Sequence, residues 1–271
     1  MLRILLPQIV SDGRLDWAYA IFQSLRRQSV VHFDWSRVQS ITPAGHAVLA
    51  CLADATFEQG VQSKHTGIPR ELKHWPSVRH FTQKELKETF SDPAIQNIET
   101  ADFILCGNST AQDMRFLESL ESKFVHRLSE DIFFAAKLIA TELMNNVLSH
   151  AGAERYYLYA GLWEGEFHLG VLDMGLSIPA KLAQKYSYPS HLAALELALK
   201  KGISTRRLRV GGFGLFYVYD FLKECEGKLT LISGKAQIRR YFKTGRSQRN
   251  ELKHLLPGTW CFARFPLEGK K

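Results

Sequence analysis

The chain has 271 residues, 45% of them hydrophobic, and a formal charge of +8 from 35 basic and 27 acidic side chains. That is core enough for one large or two modest domains, and the positive balance favours an anionic ligand such as a nucleotide, a nucleic acid or an acidic partner. Cys51, Cys106, Cys225 and Cys261 lie far apart with no CxxC or Cys/His spacing, which argues against a structural zinc site or a secreted disulfide framework and for a reducing, cytoplasmic setting.

In chain order, "MLRILLPQIV" is too short, and too soon interrupted by Pro7, for a signal sequence, and it reads as a strand. "RLDWAYAIFQSLRRQ" has helical spacing, "SVVHFDW" reads as a strand, and "PAGHAVLACLADATFEQG" is a helix punctuated by Pro43 and Gly60. These make a small α/β unit over residues 1–70. Residues 71–110 read as a connecting segment with short helices, "TQKELKETF" among them, and a candidate strand in "DFILCG". The stretch from Ala111 to Ala151 predicts two helices broken near Leu128–Asp131. A hairpin follows, "RYYLYAGLW" and "EFHLGVLD" about a turn at Glu164–Gly165. Then come a helix in "SHLAALELALKKG", a glycine-rich turn into the helix "LFYVYDFLKECEG", and three strands, "KLTLIS", "AQIRRYF" and "TWCFARF". Asp54, Lys137 and Glu142 break the apolar runs well short of the roughly 20 residues that cross a bilayer, so no membrane span is expected.

Three stretches carry chemistry. In "TELMNNVLSHAGA", Glu142, Asn146 and His150 fall at i, i+4 and i+8 on one helix face, beside a second asparagine, Asn145. Asparagine is a poor helix former, so the pair calls for a reason. An amide oxygen one turn from a carboxylate can ligate Mg²⁺ while the acid orients or deprotonates a water or hydroxyl; the alternative is a solvated polar face. In "VLDMGLSIP", Asp173 closes an apolar strand two residues before Gly175. It can accept a hydrogen bond from an exocyclic amine such as that of adenine, or simply form a turn. In "RVGGFGLFYVYDFL", Gly211, Gly212 and Gly214 precede an apolar helix, an arrangement whose backbone N–H groups can hold an anion, or a plain flexible loop. It is neither a P-loop nor a G-x-G-x-x-G fingerprint, because Tyr217 stands where the last glycine would fall.

The order of these pieces resembles the GHKL ATPases, the superfamily of gyrase, histidine kinases and mismatch-repair ATPases, over roughly residues 111–267. The resemblance implies an ATP-binding domain over 111–271: a two-layer α/β sandwich of the Bergerat type, with a mixed sheet and helices on one face. It implies ATP and Mg²⁺ as cofactors, with Glu142 as catalytic base and Asn146 as metal ligand. It sets His150 and Asn145 near the phosphates and Asp173 with Gly175 at the adenine. Ile178, Leu215 and Thr259 line the nucleotide, and Gly212 and Gly214 lie beneath the phosphates. Residues 180–210 become a lid that brings Ser204 and Thr205, and with them Arg206 and Arg207, toward the phosphates. Ser177 and Phe216 depart from the family's glycines, which puts rapid turnover in doubt. His126 lies too close to the Glu142 helix for the family's phosphoacceptor.

The stretch "VVHFDWSRVQSITPAGHAVLACLADATFEQG" resembles a STAS domain, the fold of anti-sigma-factor antagonists, although Ala44 stands where their phosphorylatable serine precedes the glycine, here Gly45. Together the two resemblances imply an ATP- and ADP-binding regulatory protein acting on a protein partner, with a homodimer open. Its module would phosphorylate a serine or threonine or hydrolyse ATP slowly; the alternative is a non-catalytic ATP-gated interaction switch. Residues 235–253 are basic with two aromatics, but a solvated hairpin accounts for them, and nucleic acid is not expected.

Overall fold

The computed structural model describes residues 2–25, 27–83, 97–100, 102–107, 110–148, 153, 155–203 and 214–267. The chain is α/β, as its pattern predicts. Strand β1 (Leu2–Leu5), β2 (Ile9–Val10), helix α1 (Asp16–Ser24), β3 (Val30–Asp34), β4 (Ser40–Ile41), α2 (Pro43–Glu58) and β5 (Gln62–Thr66) open it. Parallel pairing gives a three-stranded sheet in the order β1-β3-β5 and a two-stranded β2-β4 ribbon. Parallel neighbours need crossovers, and α1 and α2 supply them.

Next come α3 (Pro76–Gln83), β6 (Asn97–Glu99), β7 (Phe103–Gly107), α4 (Thr110–Phe124), α5 (Glu130–Asn146), β8 (Tyr156–Trp163) and β9 (Glu166–Asp173). The chain continues through α6 (Ile178–Leu182), α7 (His191–Ala198), α8 (Gly214–Glu224), β10 (Lys228–Tyr241) and β11 (Arg246–Pro266). Ser129 caps α5 from its side chain and breaks the long helical stretch where expected. Glu164 and Gly165 both have positive φ, so β8 and β9 join through a two-residue primed turn that matches the strand twist. The strands predicted in "KLTLIS" and "AQIRRYF" form one strand, β10, with a register break around Gly234 (φ 62°), and the basic stretch forms its hairpin with β11. No helix among the described residues is long and apolar enough to cross a membrane.

The large sheet runs β10-β11-β9-β8-β7-β6. The resemblance led to a mixed sheet with helices on one face, and both points are corrected. Every neighbouring pair is antiparallel, and both faces are covered. Strand alternation divides the side chains. Cys261, Ala263 and Phe265 face the core shared with α4, α5 and α8. Trp260 and Phe262, with Tyr157, Tyr159 and Leu172, face a second core shared with α1, α2 and the strands of the first sheet. One core therefore runs from β1 to β11, and β6 and β7, drawn from the stretch read as a connecting segment, complete the sheet.

Helix α2 lies between the two sheets, with every residue from Pro43 to Thr56 buried. A helix apolar all round is one packed on all sides, which its alanine-rich sequence allows at close range. Asp54 is its buried charge. The Tyr157 hydroxyl donates to Asp54 at 2.5 Å, and Arg155 lies 3.4 Å from Asp54 and 2.7 Å from Glu58. Removing one partner of such a buried group leaves the other unsatisfied, at a cost of about 2–4 kcal/mol. Asp54→Ala is therefore expected to lower stability by roughly that amount in denaturant titration while unfolding remains a single transition, because α2 belongs to both layers. Two separated transitions in the wild-type protein would contradict the shared core.

Candidate functional site

On α5, Glu142 and Asn146 stand one turn apart and half-buried, whereas Asn145 points to the exposed side. Past Asn146 the helix widens into a π-type turn at Val147–Leu148. The first residue of α8, Gly214, meets that face. A Cβ placed on Gly214 would stand 2.9 Å from Glu142 Oε2, 3.0 Å from Asn146 Nδ2 and 3.4 Å from Asn146 Oδ1. Two segments some seventy positions apart in sequence thus converge, and glycine is what lets the start of α8 come so close to both polar groups. The Asn146 Nδ2 is buried and has no hydrogen-bond partner among the described residues. Amide oxygen and nitrogen exchange by a 180° turn, so the oxygen can take the place nearest Gly214.

Asp173, 3% exposed, closes β9 on the same side of the sheet as α5, by alternation with Val171 and Leu169. The Gly175 N–H donates to its Oδ1 at 2.9 Å, and the Thr259 N–H faces it as well. The backbone of Gly258 (φ 72°) passes so close that a Cβ there would fall 2.0 Å from the Asp173 carbonyl oxygen. Burial pushes the Asp173 carboxyl up to about 7 against the pull of the two N–H donors.

Ser233 ties these parts together. Its hydroxyl accepts from the Ile178 N–H at 2.8 Å, donates to the Gly258 carbonyl at 2.8 Å and lies 2.9 Å from the Thr259 hydroxyl. Ile178 and Leu215 both pack on the small cluster of Leu182, Ala194 and Ala198, which joins the segment after Asp173 to the start of α8. The expected residues Glu142, Asn146, Gly214, Leu215, Ile178, Asp173, Gly175 and Thr259 are therefore linked by a continuous run of contacts, and Asn145 stands at its margin. His150, Ser204, Thr205 and Gly212, with Arg206 and Arg207, lie outside the described residues.

Sequence reasoning missed Ser233 and Gly258. Gly258 had a signal, the Pro257–Gly258 dipeptide of a backbone break; Ser233, a serine inside an apolar strand, had none. Ser177, which departs from the family's glycine, caps α6 by accepting from the Ala180 N–H at 3.3 Å. His126 is exposed in the turn between α4 and α5, away from this cluster.

The raised Asp173 value has a consequence for stability. A carboxyl that holds its proton more tightly folded than unfolded stabilises the fold fully below the ordinary value of 3.8, and that contribution is lost as pH rises toward about 7. Asp173→Asn, which does not titrate there, is expected to melt lower than the wild type at pH 4.5 relative to the difference at pH 8. A difference in melting temperature that stays constant across that range would remove Asp173 from the titrating groups. No protein-family model matches the chain, and no curated protein matches it significantly.

Proposed function

We propose that the chain is a Mg·ATP-binding regulatory protein with a GHKL-type module. The observation that carries this reading is the meeting of Glu142, Asn146 and Gly214, with the buried Asp173 joined to them through Ser233. A hard cation needs oxygen donors and takes them largely from phosphates and one or two side chains. The Asn146 amide, without a partner at Nδ2 among the described residues, suits that role and has a carboxylate beside it. When bound, the Mg²⁺ would offset charge on the phosphate oxygens.

On this reading Glu142 takes the proton from the attacking hydroxyl or water. The start of α8 presents backbone N–H groups to the phosphates. Asp173, ionised, accepts from the exocyclic amine of adenine, while Gly258 and Gly175 keep the backbone out of the way of the base. The module either phosphorylates a serine or threonine of a protein partner or hydrolyses ATP slowly.

On this reading neither Thr42 nor Ala44 of the N-terminal unit serves as phosphoacceptor. The Thr42 hydroxyl is buried, accepts from the Gly45 N–H at 3.2 Å and reaches the Val10 carbonyl, and Ala44 beside it has no hydroxyl. The placement of the N-terminal helices across the back of the sheet favours, as second reading, a switch in which nucleotide changes affinity for that partner without chemistry.

Thermal-shift titration with ATP, ADP and GTP, with and without Mg²⁺, tests the site. Adenine nucleotides alone should raise the melting temperature, and Asp173→Asn should weaken them at least tenfold. Gly214→Ala should fold yet bind ATP at least tenfold more weakly, since its methyl displaces the Glu142 and Asn146 side chains. A melting curve indifferent to every nucleotide sinks the reading. Glu142→Gln that binds ATP but stops phosphate release or transfer supports catalysis, whereas unchanged activity leaves the switch.

Adenine binding should also release protons. At pH 6 the empty site holds its proton, and accepting the amine favours ionisation, so calorimetry in buffers of different ionisation heat should show release of nearly one proton per nucleotide. Release of none would remove Asp173 from the base.

A further inference from the structure

We propose that the cleft on the opposite face of the large sheet, between the Pro7–Arg14 segment and strands β9 to β11, is a second ligand site, for a small organic anion with a flat apolar part. The cleft has a volume of about 710 Å³, within the range of small-molecule sites. It lies on the α1 side of the sheet, because Arg264, His168 and Arg239 alternate with Ala263, Leu169 and Ile238, which face α5 and α8. The sheet therefore separates it from Glu142 and Asn146.

Five cationic residues line this cleft against three acidic ones. Two of the acids are committed. Asp12, 4% exposed, pairs with the Arg264 guanidinium and accepts from Thr230 Oγ1 at 3.3 Å. Glu166 binds Lys228 at 2.6 Å and Arg264 at 3.4 Å. These pairs form a floor with little net charge. The remainder is Arg14, Arg239 and Arg240, the last 3.9 Å from Glu196 outside the cleft, against the exposed Glu164.

Arg239 donates to two main-chain carbonyls, of Asp12 at 2.7 Å and Gly13 at 2.8 Å, so neutral acceptors position it, with the Asp12 carboxylate within electrostatic reach but not in an ion pair with it. Among the described residues no carboxylate lies within ion-pair distance of Arg14 or Arg239. With the Gln237 amide turned, its oxygen accepts from Arg239 Nη2 at 2.9 Å and Nε at 2.5 Å, so Arg239 keeps one Nη1 N–H and its charge for a carboxylate or phosphate, while the planar fork left open is that of Arg14. Part of the lining is apolar. Pro7, Ile9 and Trp163 belong to it, and Ile9 is 46% exposed although it belongs to a strand. A flat ring against Trp163 and Ile9 with its acid group toward Arg14 and Arg239 would use both the apolar and the cationic lining. Such a ligand bridges the N-terminal segment and the large sheet, so its binding stabilises their contact by mass action.

The test uses the full chain in thermal-shift titration at constant ionic strength, with sodium benzoate and inorganic phosphate as probes and chloride as control. Benzoate should raise the melting temperature saturably and bind more tightly than phosphate. Arg14→Gln and Arg239→Gln should each weaken it at least fivefold, and Glu142→Gln should leave it unchanged. Arg14 is exposed and its side chain makes no hydrogen bond among the described residues, so that variant carries the test even if Arg239→Gln, which loosens the Asp12–Gly13 turn, fails to fold. A benzoate response equal to that of chloride, or equal in wild type and Arg14→Gln, overturns the site. Phosphate binding as tightly as benzoate overturns the role of the apolar lining.

Discussion

The packing of α2 between two sheets is the constraint on which the other features depend. A helix that buries every residue from Pro43 to Thr56 contributes nothing polar to the surface and must find apolar partners in all directions. On one side these are Val31 and Phe33 of the small parallel sheet; on the other, Tyr157, Tyr159 and Leu172 of the large one. Over β8 and β9 the large sheet consequently has almost no solvated face, and these strands read as near-continuous apolar runs in place of alternating ones, although they are antiparallel. Continuous runs ordinarily point to parallel strands covered by helices on both sides. Here the same burial arises because the N-terminal unit takes the place of the second helical layer.

Closing two layers on each other buries charge as well as hydrocarbon, and the charges sit at two places along the seam. Asp54 meets Tyr157 and Arg155; Asp12 meets Arg264 and Thr230. Replacing such pairs by apolar side chains is often neutral or favourable, so their presence is weak evidence for stability. What they do provide is register. Asp54 has its partners in one place on β8 and the residue before it, and Asp12 in one place across β10 and β11. A slide of α2 by a turn, or of the Asp12 segment by a residue, would leave a carboxylate dry and alone. Desolvation is the largest influence on Asp12, and Arg264 nonetheless holds its carboxyl below the ordinary value.

Local chemistry made much of this legible. Pro43 and Gly60 bracket α2, Ser129 separates α4 from α5, and Glu164–Gly165 joins β8 to β9, each through a capping or turn preference that acts over a few residues. Glu142, Asn146, Asp173 and Gly214 each stood out singly because they break apolar patterns that otherwise continue, and only the resemblance to a known family joined them as a set. What failed to show depends on contacts distant in sequence. β5, "QSKHT", is a strand only because β3 offers it an edge. Ser233 looks like a break between two strands, yet the chain runs on through Gly234 in one long strand while its hydroxyl serves segments fifty-five and twenty-five residues away. The packing of the N-terminal unit on the sheet left no trace in periodicity, since an all-apolar helix and an all-apolar strand show what is buried but not against what.

The geometry sets the proposed nucleotide site and the N-terminal unit on opposite faces of one sheet, and this shapes how one could influence the other. Adjacent residues of a strand face opposite ways, so Asp173 is one peptide from Leu172, which packs in the core of α2, and Thr259 is one peptide from Trp260. A shift of β9 or β11 by a fraction of an ångström on the back face therefore moves the Asp173 carboxylate and its Thr259 donor together. Close-packed cores transmit such displacements instead of absorbing them. Two-way influence then requires only that a ligand on one face prefer one strand position, and reciprocity gives the nucleotide the same leverage over the back face. On the proposed reading, an N-terminal unit held this way would act through its fit to the sheet and would need no acceptor hydroxyl at the start of α2, where Ala44 stands and Thr42 is buried.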